Sequence, residues 1–126
     1  MGENVEITET IIGCVYTVAN SLGHGFLEKV YENALVIELR KAGVGVAQQH
    51  PIPVLYDGEL VGDFYADLLV EGKVIVELKA IKAFEDIHMA QTLNYLKATG
   101  LKTGVATKFW HTQCASETHQ PVERNR

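Results

Sequence analysis

Apolar residues recur along this chain with two periods, and the changes of period divide it into elements. From about residue 5 to 22, Ile7, Ile11, Val15, Val18 and Leu22 fall three and four apart, the spacing that lines one face of an α-helix. Gly23-His24-Gly25 ends it, since glycine accepts the positive φ angles with which helices commonly close. A second helix is predicted from about Phe26 to Ala42, stopped by Gly43. Its buried arc collects Leu27, Tyr31, Ala34, Leu35 and Leu39, and Glu28 falls inside that arc.

The period then shortens to two. Strand character from about Val44 to Tyr56 is interrupted near His50-Pro51-Ile52-Pro53, because proline gives no N–H to a ladder and belongs on an edge or at a bulge. Asp57-Gly58 predicts a hairpin turn. From Glu59 to Val70 the alternation places Gly62, Phe64, Ala66, Leu68 and Val70 on one face and Val61, Asp63, Tyr65, Asp67 and Leu69 on the other. Glu71-Gly72 turns the chain into the run Lys73 to Ile81, which is β-branched on both faces and reads as a central strand.

A third helix is predicted from about Ala83 to Thr99 and closed by Gly100. Phe84, Ile87, Gln91, Tyr95 and Ala98 form one arc and Met89, Leu93 and Leu96 another, the pattern of a helix pressed between a sheet and a second helix. A surface of that kind also suits a homodimer contact. A last strand extends to about Phe109, and from His111 to Arg126 the chain is polar without periodicity, as in a flexible tail. The order predicts an α/β fold, a mixed β-sheet flanked by helices, with a single domain over 1–110 and a tail over 111–126.

Composition agrees with one domain: 126 residues, 47% hydrophobic and 21% charged. Cys14 and Cys114 stand far apart with no CxxC spacing, so neither a disulfide framework nor a zinc site is readable. No apolar run approaches the roughly 18 residues that cross a bilayer, and the start is acidic where a signal peptide is basic, so no membrane association and a cytoplasmic location are expected. The net charge of −5 excludes a bulk basic field for nucleic acid. The charge is uneven, however: residues 1–72 carry −8 and residues 73–126 carry +3, which assigns any polyanion contact to the second half.

Against this background Glu77 and Lys79 are anomalous, since they interrupt a strand that otherwise reads as buried on both faces, where an ionised group needs a partner or a metal. Both lie on one face. Antiparallel pairing about Glu71-Gly72 brings Asp67 near Glu77, so two carboxylates converge into a hard oxygen site of the type Mg²⁺ prefers. Glu28 on the second helix, and Gln91 one turn before Tyr95 on the third, are further polar residues in apolar arcs. The five histidines show no HxxxH or HxH pair and read as structural, with His88 on the arc of Gln91.

Asp67 followed by Glu77-Leu78-Lys79 resembles the core signature of the PD-(D/E)xK nuclease superfamily, and Gln91 to Tyr95 resembles the QxxxY element of its RecB-like branch. Gly25-Phe26-Leu27-Glu28-Lys29-Val30-Tyr31 is similar to the motif of the GxxExxY proteins of that superfamily. The likeness runs from about Ile11 to Gly104. Beyond it the chain departs from the pattern, because the expected basic stretch is replaced by His111-Thr112-Gln113-Cys114.

The resemblance implies a restriction-endonuclease-like core and a metal-dependent nuclease that hydrolyses phosphodiester bonds in nucleic acid, DNA being the expected polymer. It implies Mg²⁺ or Mn²⁺ held by Asp67, Glu77 and the Leu78 carbonyl, with Glu28 as a further acidic ligand or supporting group. Lys79 would position or activate the attacking water, and Gln91 and Tyr95 would hold the substrate phosphate or the lysine. The alternative, motivated by the missing basic end, is a catalytically inactive module that keeps the fold and binds nucleic acid or protein.

Overall fold

The stripe on the first helix is buried as its spacing requires: Ile11 and Val15 are inaccessible and Val18 nearly so, with Ile7 and Leu22 packed at the margins. In the computed structural model, which describes residues 4–110 and 113–120, the elements are α1 (Val5–Leu22), α2 (Glu28–Lys41), β1 (Val46–Tyr56), β2 (Glu59–Val70), β3 (Val74–Lys79), α3 (Asp86–Thr99), β4 (Thr103–Trp110) and β5 (Gln113–His119). The strands form one sheet in the order β1-β2-β3-β4-β5. Pairing is antiparallel except between β3 and β4, which run parallel with α3 connecting them. The expected α/β architecture, a mixed sheet flanked by helices, is therefore present.

The doubly apolar run became the centre of the sheet, as both its faces must be covered. Val74, Val76 and Leu78 join Leu68, Val70, Val105 and Phe109 against the buried stripes of α1 and α2. Ile75 faces the other way, into a smaller cluster with Ile52, Ala66, Tyr95 and Leu96 beneath α3. Glu77 and Lys79 share the parity of Ile75 and so lie on the α3 side.

Four expectations need correction. The proline pair does not interrupt β1, because β1 is an edge strand and Pro51 and Pro53 sit exposed within a continuous register. The register shifts further along, between Val54 and Leu55, and a local departure lies at Gln49, whose φ of 50° is left-handed and which is passed over between the Gln48↔Leu68 and His50↔Ala66 pairs. Asp67 lies across from it, and there the uniform alternation of β2 slips. Ala66 belongs to the α3-side cluster, whereas Leu68 and Val70 belong to the opposite one and Leu69 packs under α3.

The third correction concerns the helices. α3 covers the sheet with Thr92, Tyr95 and Leu96 but, among the described residues, has no helix on its other side, so Met89 and Ile87 are exposed. On α2, Leu27 is 81% exposed as the residue before the first turn, and Glu28 is exposed too; the acid buried on that helix is Glu32. Fourth, the segment expected to be a tail contains β5, paired from Gly104↔His119 to Trp110↔Gln113. Backbone pairing to β4 holds it, aided by the Ser116 hydroxyl donating to Thr107 Oγ1 at 3.0 Å, and hydropathy does not register such forces. The remaining tail positions, 111–112 and 121–126, lie outside the described residues.

The height of α3 above the sheet is set by Gly104. A Cβ there would stand 2.7 Å from Thr92 Cγ2, closer than two carbon atoms pack. Gly104→Ala is expected to destabilise the fold by about 1–3 kcal/mol through overpacking. Thr92→Ser removes the opposing methyl and should restore part of that loss in the double variant, as read by urea denaturation. Equal losses in the single and double variants would refute the contact as the cause.

Candidate active site

The ladder that pairs Leu68 with Val76 and Val70 with Val74 sets Asp67 across from Glu77 at the next step. No backbone pair forms at that step. Instead the Leu78 N–H donates to Asp67 Oδ2 at 2.8 Å, so a side chain takes the place of a ladder partner and draws the carboxylate onto β3. This is the consequence of the slip at Asp67: the aspartate leaves the alternation and joins the acid on the neighbouring strand.

Glu77 is 4% exposed, and its Oε1 is buried with no hydrogen-bond partner among the described residues. Burial above all, then the charge of Asp67 and a hydrogen bond to it, push the Glu77 carboxyl up to about 9, against a smaller lowering by Lys79. With its carboxyl pushed that far up, Glu77 keeps its proton at neutral pH in the absence of a cation. Lys79, partly buried, is near enough for its charge to act on Glu77. Beside it in the parallel register stands Lys108, whose ammonium donates to the Lys82 carbonyl at 2.8 Å and ties down the segment that follows β3.

α3 supplies the opposite wall. Gln91 Nε2 donates to the Tyr95 hydroxyl at 3.0 Å, as their one-turn separation allows. The Tyr95 hydroxyl is pushed above its ordinary pKa by burial, partly offset by Gln91, and is raised further by the charges of Glu77 and Asp67. It stays protonated at neutral pH, an O–H donor within electrostatic reach of the acidic pair.

Asp67, Glu77, Lys79, Gln91 and Tyr95 thus gather on one side of the sheet. Glu28 does not join the acids. Its Oε1 accepts the N–H of Ala80 at 3.2 Å, directly after Lys79, and the described residues contain no group of three or more His, Cys, Asp and Glu that could hold a metal. Tyr31 explains how Glu28 reaches that point: its hydroxyl donates to the Gly23 carbonyl at 2.7 Å and accepts the Phe26 N–H at 3.3 Å, while its ring stacks on Phe109 with centroids 4.3 Å apart. Tyr31 is therefore packing that shapes the loop before α2. His88 is likewise structural, its Nδ1 accepting the Glu85 N–H at 2.8 Å at the start of α3.

Two residues at the site carry roles the sequence did not suggest. Glu32, 4% exposed, accepts from Lys29 Nζ at 2.9 Å, Gln48 Nε2 at 2.7 Å and Gln49 Nε2 at 2.9 Å. A buried carboxylate with three donors is well satisfied, and it anchors the left-handed Gln49 opposite Asp67. Its signal was present as a Gln-Gln pair and an acid next to Tyr31, but nothing local joins them. Lys108 was hidden because the register of a parallel pair separated by a helix is not readable from the chain.

The donor set suits a small divalent cation. Two convergent carboxyl groups, one with a buried oxygen that has no partner among the described residues, are hard oxygen ligands, and the proton on Glu77 is what a cation would replace. In metal-free protein the raised Glu77 pKa means the folded state holds a proton that the unfolded state gives up above about 4.5. Stability is accordingly expected to fall as pH rises from about 4.5 to about 9. Glu77→Gln should flatten that slope and gain on the order of 2–3 kcal/mol at pH 7. Urea midpoints measured in chelator across this range check it, and an unchanged slope in the variant would contradict the raised Glu77 pKa.

A sequence profile of the PD-(D/E)XK nuclease superfamily matches residues 5–121. No curated protein sequence matches the chain. Among solved structures, the fold is similar to SSO0001, with 17% identity, a TM-score of 0.56, and coverage of 94% of this chain and 60% of that one. It is also similar to an alkaline exonuclease, LHK-Exo, from Laribacter hongkongensis, with 10% identity, a TM-score of 0.57, and coverage of 97% of this chain and 73% of that one. The chain thus spans three-fifths of the length of SSO0001, and at these identities the two structures speak to the fold alone. With nearly the whole chain matched by the profile, the protein belongs to the PD-(D/E)XK nuclease superfamily.

Proposed function

We propose that the chain is a divalent-metal-dependent nuclease, of the GxxExxY type within its superfamily, that hydrolyses phosphodiester bonds in nucleic acid, with DNA as the expected polymer. The observation that carries this reading is the convergence of Asp67 and Glu77, with Glu77 Oε1 buried and lacking a partner among the described residues. The exonuclease among the structural relatives is named for the same class of chemistry.

In this reading Asp67, Glu77 and the Leu78 carbonyl hold Mg²⁺ or Mn²⁺. The bound ion supplies a lowered pKa for water and positive charge against the phosphoryl oxygens. Lys79 orients the attacking water and offsets negative charge on the substrate phosphate. Gln91 and Tyr95 donate to a phosphate oxygen, the tyrosine as a neutral O–H whose proton burial retains. Glu28 acts at one remove: by accepting from Ala80 it holds the end of β3 and so the direction of Lys79. The uneven charge favours cations of the second half of the chain, Lys79 among them, as the phosphate contacts.

Calorimetric titration with Mn²⁺ is expected to show one site that vanishes in Glu77→Ala and survives in Lys79→Ala. Its affinity should rise about tenfold per pH unit between pH 6 and about 8, because Glu77 must release its proton to the solvent. Lys79→Ala should lower cleavage by about 100-fold or more while leaving the urea midpoint near that of the native chain. Absence of Mn²⁺ binding, or chelator-resistant nucleic-acid binding without turnover on single-stranded, double-stranded, branched or RNA substrates, would replace the enzyme with a binding module.

A further inference from the structure

Between α3 and the β1–β2 hairpin lies a groove of about 840 Å³, a size typical of ligand sites. It begins at the candidate active site, since Gln91 and Tyr95 line it, and runs outward between Leu55 and Phe64 on the sheet and Ile87, Asn94 and Lys97 on the helix. Its walls are mainly apolar. Leu55 is 62% exposed, Ile87 65% and Phe64 48%, and Lys97 is the one basic residue among the described residues that line it. A nuclease substrate leaving the acidic pair on this side meets aromatic surface and a cation.

Phe64 is a built platform. Its ring lies over Gly62, where a Cβ would stand 2.8 Å from Cε2, so glycine two residues away on the same strand leaves the space the ring occupies. Tyr95 stands nearby with its ring tilted 41° to that of Phe64, at a centroid separation of 6.1 Å. Paired bases in a duplex hide their faces against one another, whereas an unpaired base offers a planar face that an aromatic ring can stack on whatever its sequence. Lys97 supplies phosphate attraction and Asn94 both a donor and an acceptor for a base edge.

We propose that this groove binds unpaired bases of single-stranded nucleic acid, Phe64 stacking on a base adjacent to the phosphate at the active site. The proposal rests on the nuclease reading for the direction of the strand, but binding is testable without cleavage. Fluorescence anisotropy in chelator with labelled oligo(dT), an abasic strand of equal length and a blunt duplex separates stacking from charge. Oligo(dT) is expected to bind the native chain about tenfold more tightly than the abasic strand, a ratio in line with one stacked base. Phe64→Ala should bring the two strands to equal affinity. Ile87→Glu, on an exposed helix position, should weaken oligo(dT) binding similarly and guards against a folding defect at Phe64.

Equal binding of oligo(dT) and the abasic strand by the native chain would overturn the proposal, as would an unchanged ratio in both variants. So would a dimer in sedimentation that either substitution converts to monomer without loss of binding, because the groove would then be a contact between two copies of the chain. Loss of cleavage in Lys79→Ala together with an unaltered stacking ratio in Phe64→Ala would leave the nuclease standing and remove the groove. Base-dependent binding without any Mn²⁺-dependent cleavage would do the reverse.

Discussion

Two carboxyl groups held side by side in the interior of a sheet form an arrangement that water alone does not stabilise, and the rest of this site answers to that fact. Glu77 gives up solvent on entering β3 and gains no hydrogen-bond donor for Oε1. Asp67, across the strand boundary, adds repulsion to desolvation. An ordinary core would replace such a pair with apolar residues, since buried charge that is incompletely partnered costs more than it returns. A buried acid oxygen without a donor among the described residues is what the proposed cation would satisfy.

The fold provides this in layers. The burial of β3 on both faces comes from the two hydrophobic clusters, one under α1 and α2 and one under α3. The position of Asp67 comes from the phase slip in β2, supported across the strand by the left-handed Gln49 and the Glu32 carboxylate that holds it. The height of α3, and with it the reach of Gln91 and Tyr95, comes from the absence of a side chain on Gly104. The end of β3 is held from two directions, by Glu28 at Ala80 and by Lys108 at Lys82. None of these contacts touches a reacting atom, yet each determines where a group at the site can stand.

Much of this could be read along the chain because it is local. The helical stripes, the Asp57-Gly58 turn and the tight return at Glu71-Gly72 establish neighbours within a dozen residues, and that return alone brings Asp67 to Glu77. The one-turn spacing of Gln91 and Tyr95 is equally local. What escaped is what depends on distant partners: Glu28 meets the Ala80 amide 52 residues away, and Glu32 meets Gln48 and Gln49 16 and 17 residues away. The period of β2 was right on either side of Asp67 and wrong across it, because the slip depends on the backbone of another strand. β5 escaped for a different reason: an edge strand is secured by backbone pairing, which a polar sequence conceals. The unpartnered side of α3 reads as core by periodicity, and in the fold it borders a groove.

The central claim is that one divalent cation is held by the acids of β2 and β3. Anomalous diffraction from crystals soaked in Mn²⁺ tests it most directly. The account predicts a single peak bonded to Asp67 and to Glu77 Oε1, with positions left open toward Lys79. A peak at Glu28 instead, or none within bonding distance of Glu77 at a pH where the native chain remains folded, would contradict it.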